Sequence, residues 1–181
     1  MLFSIILTLS YSFLSFQSGA VNINDQPQPY EDADAYEVYA AVLSLKVAAS
    51  WPEAAKTIVI QSQTIKFRMC LRPEPESERI IGTAISDYIK LNEKPWLLQK
   101  RFVIEKSYEL VSSEELRSFE PGRGWTELSA VGFNADKTVA VVFMMHHCGR
   151  LCGTGFFHVL QKKNGRWEPL DWKGSRCVLN S

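Results

Sequence analysis

Residues 146–155 read HHCGRLCGTG, which places two imidazoles, two thiols and three glycines around one short turn. Side chains of these types support three kinds of chemistry. The first is covalent: with Gly149-Arg150-Leu151 as a three-residue turn, Cys148 and Cys152 face each other across a hairpin at a separation that a disulfide spans. The second is metal binding, because reduced Cys148 and Cys152 together with His146 or His147 form a soft donor set for zinc or copper. The spacing is C-x-x-x-C and not the C-x-x-C of zinc ribbons, and consecutive strand residues point to opposite faces, so at most one of the two histidines joins; His158 meets the same difficulty. The third is anion binding, in which Gly149, Arg150, Gly153 and Gly155 present backbone N–H groups to a carboxylate or phosphate. Against it, glycines at a tight hairpin also serve simply to adopt positive φ.

A cysteine nucleophile paired with His146, His147 or His158 is a fourth possibility, and the redox compartment bears on it. The first twenty residues, MLFSIILTLSYSFLSFQSGA, carry no acid or base and end in small residues at Ser18 and Ala20. The apolar stretch from Leu2 to Phe16 is shorter than the roughly 20 residues that span a bilayer, so 1–20 reads as a cleavable signal peptide, with a retained single-helix anchor as the alternative. Export permits disulfides, and the four cysteines, Cys70, Cys148, Cys152 and Cys177, are an even number. Cys148–Cys152 with Cys70–Cys177 is the favoured pairing; the rival crosslinks each tip cysteine separately to Cys70 and Cys177. Oxidised thiols are neither nucleophiles nor ligands.

The elements that must hold this tip follow from periodicity. Residues 21–33, with two prolines and three acids, read as a flexible leader, and 34–181 as a single α+β domain. From Asp34 an Ala-rich helix is expected, with Asp34 as cap, Glu37 at the reciprocal position and Pro52 as stop. Lys56–Ser62 is β-branched and strand-like, and 71–78, LRPEPESE, reads as an exposed connection. Ile80, Ile81, Ala84, Ile85, Tyr88 and Ile89 recur at helical spacing and predict a second helix over 78–92. Ser112 and Glu115 form a capping-box pair for a brief helix near Phe119. Beyond it, ELSAVGF, TVAVVFMMHH, TGFFHVLQ and WEPLDW alternate with turns and predict an antiparallel meander. Asn164-Gly165 suits a type I′ turn, so 156–162 should pair with 166–172. The expected fold is α+β, two main helices packed on one face of a mostly antiparallel sheet with a C-terminal β-meander, similar in outline to cystatin-like folds.

Composition narrows the function. Lys plus Arg and Asp plus Glu are 20 each, so no net field draws the chain to nucleic acid, and no later apolar run predicts a membrane span in the mature chain. There is no G-x-S-x-G, no H-E-x-x-H and no nucleotide-binding glycine loop, carboxylates such as Glu114 and Glu115 read as solvated, and the five tryptophans read as core.

The run from Ser129, SAVGFNADKTVAVVFMMHHCGRLCGTGFFHVLQKKNGRW, resembles a family of uncharacterised exported bacterial proteins that share GFN-x-x-x-T-x-A-x-V, then CG-x-LCG-x-G, then G-x-W. The resemblance implies an exported domain with a glycine-cysteine hairpin and carries over no catalytic residue; Arg150 stands where a small residue is usual. The sequence therefore leads to a non-enzymatic exported or periplasmic binding or structural module without a cofactor, whose partner is a protein or small ligand. The alternative is a metal-binding or hydrolytic protein that uses the His/Cys tip.

Overall fold

The computed structural model describes residues 27–45, 57–119, 123–149, 152–175 and 178–180. The expected signal peptide, leader residues 21–26, Pro52, Arg150 and Cys177 lie outside them. In chain order the elements are β1 (Gln28–Pro29), α1 (Ala33–Ser44), β2 (Thr57–Gln61), β3 (Arg72–Pro73), α2 (Pro75–Leu91), β4 (Trp96–Leu97), β5 (Ser107–Val111) and α3 (Ser113–Arg117). They continue as β6 (Trp125–Leu128), β7 (Gly132–Phe133), β8 (Val139–Gly149), β9 (Cys152–Lys163), β10 (Arg166–Pro169), β11 (Gly174–Ser175) and β12 (Val178–Asn180). The main sheet runs β10-β9-β8-β6-β2-β5, with β12 also on β9 and β7 also on β8. It is mostly antiparallel, as expected, but β2 lies parallel to both β5 and β6. Among the described residues no helix is long and apolar enough to cross a membrane.

The alternation in VAVVFMM organises the whole. Ala140, Val142 and Met144 join the core cluster under α1, whereas Val139, Val141 and Phe143 join the one under α2. Because successive strand residues point to opposite faces, the two helices lie on opposite sides of β8 and not on one face as the sequence suggested. A run buried on both faces carries no polar side to show where solvent begins, so the sequence alone does not separate the two helices onto opposite faces.

The second helix begins at Pro75, whose missing N–H costs nothing in a first helical turn, so part of the expected connection is helical. Its buried face is Ser77, Ile81, Ala84 and Tyr88, while Ile80 and Ile89, counted into the apolar face from spacing, are 49% and 51% exposed on its flanks. The first helix starts one residue before Asp34: Asp32 is the N-cap and accepts from the Asp34 N–H at 3.0 Å. The leader's end is likewise ordered. Gln28 and Pro29 pair in parallel with Trp96 and Leu97, and Tyr30 is 4% exposed, so a Pro-rich polar stretch is held by a strand supplied from elsewhere and by its own buried aromatic ring. The capping box of Ser112 and Glu115 forms as expected.

The expected strand ELSAVGF is interrupted. β6 and β7 both pair with β8, but 129–131 bulge between them. Buried polar side chains satisfy the freed backbone: Asn92 bonds both the N–H and the C=O of Ala130 (2.9 and 3.1 Å), Tyr30 Oη accepts from the Val131 N–H at 2.9 Å, Tyr39 Oη donates to the Ser129 carbonyl at 2.8 Å, and Ser129 Oγ accepts from the Phe143 N–H at 2.8 Å. Immediately after the bulge, Gly132 lies so close to α2 that a Cβ there would overlap the Tyr88 nitrogen and the Ala84 carbonyl oxygen.

The Asn164-Gly165 turn is as expected, with φ of 50° and 77°. Its pairing is shorter than anticipated: Arg166–Pro169 pair with 160–163, and residues 154–156 of β9 pair instead with β12.

Candidate functional site

The β8–β9 register sets His146 against Thr154 and His147 against Gly153, then shifts, so that Gly149 pairs with Cys152. Cys148 is the bulged residue, and Gly149 takes a φ of 153°, a value that L side chains rarely adopt. This differs from a plain three-residue turn, yet Cys148 and Cys152 are joined by a disulfide across Cα atoms 5.2 Å apart. Cys70 is also disulfide-bonded.

The two histidines diverge as strand geometry requires. His146 lies on the α1 side, with Nδ1 3.4 Å from Thr126 Oγ1 and its ring against Gly124. Burial, and secondarily the neighbouring His147, push it down to about 4, so it is neutral at physiological pH. His147 lies on the other side, stacked on Trp125 at 4.3 Å and 12°, with Nε2 3.1 Å from Glu127 Oε2. That is ion-pair proximity without the alignment of a hydrogen bond. The indole Nε1 of Trp125 is buried and has no hydrogen-bond partner among the described residues. His158 shares the face of His146 but pairs with Val142, four positions along the strand, roughly 13 Å away. Among the described residues no three His, Cys, Asp or Glu side chains gather to hold a metal ion.

The glycines have packing tasks. A Cβ at Gly155 would come within 2.6 Å of Phe143 Cζ, and the Phe143 ring in turn stacks on Phe67 at 3.9 Å. Gly153 is buried opposite His147. Chemically, the tip offers a histidine–carboxylate pair, His147 and Glu127, whose cross-strand neighbours Trp125, Met145, Gly153 and Gly155 bear neither hydroxyl nor thiol.

No family model, curated protein or solved structure matches the chain.

Sequence reasoning missed a concavity elsewhere on the molecule. On the α1 side, an open cleft of about 490 Å³ separates the helix from residues 101–103 and from the β9–β10 turn. Its floor is the outward stripe of α1, with Ala33, Ala40, Ala41 and Ser44, and the rings of Tyr36 and Trp167 flank it. At its edge an ionic ladder locks α1 to the turn at 134–138 and to the end of β9. Lys137 Nζ reaches Asp32 and Asp34 at 3.0 Å, and Lys162 Nζ reaches Asp34 at 3.3 Å and Glu37 at 2.9 Å. Glu37 also accepts from Trp167 Nε1 at 3.3 Å. These contacts hold the Asp34 carboxyl below its ordinary range, chiefly through Lys137, and raise both lysines. The available signal was weak: small residues at positions 33, 40, 41 and 44 recur on one side of a helix whose other sides are apolar.

Proposed function

We propose that the chain is a non-enzymatic exported module that binds a ligand or partner and whose glycine-cysteine hairpin is structural. The observation that carries this reading is the Cys148–Cys152 disulfide, which occupies both thiols of the only sequence motif with metal or nucleophile potential. The bonded state of Cys70 supports the oxidising compartment that the apolar N-terminal run suggests. The resemblance to exported bacterial proteins of the GFN, CG-x-LCG-x-G and G-x-W pattern supports it too, since these residues serve the fold. Gly132 admits α2, Asn134 Oδ1 accepts from the N–H groups of Thr138 and Val139, Gly165 makes the turn, and Trp167 anchors Glu37. A motif of this kind marks an architecture and not a reaction.

The test is the intact mass of protein from its export compartment, alkylated with and without reduction, alongside zinc and copper analysis. Four blocked thiols and no metal are expected. Free Cys148 and Cys152 with stoichiometric metal would sink the reading.

The His147–Glu127 contact favours one second reading, an acid–base pair in a hydrolytic site. Replacement His147→Gln would then abolish turnover of an ester or peptide probe while leaving stability nearly unchanged. A wild-type protein inert toward such probes removes it.

A further inference from the structure

Three features of the cleft beside α1 select a ligand class. The first is its apolar wall. Among the described residues Val103, 87% exposed, is far more so than the other exposed large aliphatic side chains, and it stands at the cleft beside the alanine floor. A large aliphatic group held in water next to a concave apolar floor is a surface that gains by being covered. The second is size: about 490 Å³ lies within the roughly 300–1,000 Å³ typical of small-molecule sites. An apolar floor with aromatic flanks is the usual lining of such sites.

The third is charge. Glu37, the acid of the cleft lining, is already engaged by Lys162 and by the Trp167 indole, so it has little left to offer a cationic ligand. The Arg166 guanidinium has no ion-pair or hydrogen-bond partner among the described residues. Arg101 donates to the backbone carbonyl of Glu31 at 3.0 Å and lies over the Tyr36 ring at 5.2 Å, with no carboxylate opposite it. Two guanidinium groups thus border the cleft without an acidic partner, and a guanidinium is the side chain best matched to a planar carboxylate.

We propose that this cleft binds a small amphiphilic organic anion, an aryl or alkyl carboxylate, with its apolar body on Ala40, Ala41 and Val103 and its carboxylate at the arginine rim. The proposal rests on the binding-module reading and gives it a site and a ligand chemistry. An extended acidic peptide is the less favoured occupant, because the floor of the cleft is a helix and the sheet edge that reaches it, β10, is only 4 residues long.

The experiment is an amide chemical-shift titration of the ¹⁵N-labelled, disulfide-intact chain with 1-naphthoate, 1-naphthylmethanol and 1-naphthylmethylamine. Saturable shifts are expected at residues 40–44, 101–103 and 165–167, with the carboxylate binding at least fivefold more tightly than the alcohol and the amine more weakly still. Arg101→Gln and Arg166→Gln should each weaken naphthoate about threefold to tenfold, Val103→Asp more than either, and added salt should weaken the carboxylate alone. Unchanged thermal midpoints establish that the exposed-site variants are folded. Equal binding of alcohol and carboxylate, indifference to both arginine replacements, or no saturable shift in the cleft would overturn the proposal. Saturable shifts at 146–155 instead would overturn the cleft while sparing the binding reading. Free tip thiols with bound metal, measured by mass on the same sample, would overturn that reading independently of the cleft.

Discussion

On the α2 side of β8, Val139, Val141 and Phe143 meet a helix whose backbone touches Gly132; on the α1 side, Ala140, Val142 and Met144 meet a helix whose outer flank is open to a cleft. One strand supplies both surfaces from alternate residues, yet the fits differ in kind. The α2 side closes through main-chain contact at Gly132 and ring stacking above Gly155, and neither position has room for one more carbon. The α1 side closes inside through buried, hydrogen-bonded phenols and at its rim through an ionic ladder, and the ladder, being exposed, can adjust by a rotamer. The contrast indicates where a change can be accommodated: at the exposed ionic rim of α1 and not at the backbone contact of α2.

The sharpest way to break this contrast is Gly132→Val. The added carbons would meet the Tyr88 and Ala84 backbone, so α2 must lift from the sheet, and a loss of about 3–5 kcal/mol in urea unfolding is expected. The matched change on the other side, Ala41→Val, should cost under about 1 kcal/mol because its neighbourhood is a cleft. Equal costs would mean that the two faces are packed alike.

The second test compares the tip with the strand body. Removing the disulfide with Cys148→Ser and Cys152→Ser releases only a short loop, so about 2 kcal/mol is expected. Hydrogen exchange should accelerate at residues 145–155 and not at 139–143. Acceleration along the whole hairpin would show that the tip stabilises the core and not only itself.

Features decided by neighbours in sequence were legible. Asn164-Gly165 carries its turn in its own φ preferences, Ser112 and Glu115 close their box across one helical turn, and Cys148 and Cys152 are brought together by a hairpin of adjacent strands. Features decided by distant chain were not. Nothing local marks Gly132 as the point where α2 touches, or says that Tyr30, 101 residues away, will bond the Val131 backbone. The cap at Asp32 was misplaced by two residues because the leader before it looked disordered, whereas pairing with Trp96 and Leu97 orders it. The cleft draws on three separate segments, so its residues share no motif.

The third expectation concerns acid. His146 is pushed down to about 4 by burial and by His147, so between that value and the ordinary 6.5 the unfolded chain binds a proton that the folded chain refuses. Stability therefore falls as pH drops through this window, by roughly 1–2 kcal/mol once partial exposure is allowed for. Thermal midpoints at pH 7 and pH 4.5 should differ more for wild type than for His146→Gln. An unchanged difference in the variant would assign the acid sensitivity to other groups.

The smallest expected effect probes the ladder on the adjustable side. Lys137→Met removes the ammonium that reaches Asp32 and Asp34 and lies 5.3 Å from the Phe133 ring centre, while keeping an unbranched side chain of similar length. Lys162 still holds Asp34 and Glu37, and exposed pairs of this kind are worth little, so a loss of about 0.3–1 kcal/mol is expected. The pH dependence gives the sign. Lys137 is the main cause of the lowered Asp34 carboxyl, and a carboxyl lowered on folding stabilises above its unfolded value and loses that contribution as pH falls through the folded one. The variant should thus lose less stability than wild type on acidification below pH 4, with the two curves converging where Asp34 is protonated in both. A cost well above about 1 kcal/mol at neutral pH would mean that the ladder holds α1 as firmly as the Gly132 contact holds α2, and the difference between the two faces would be lost.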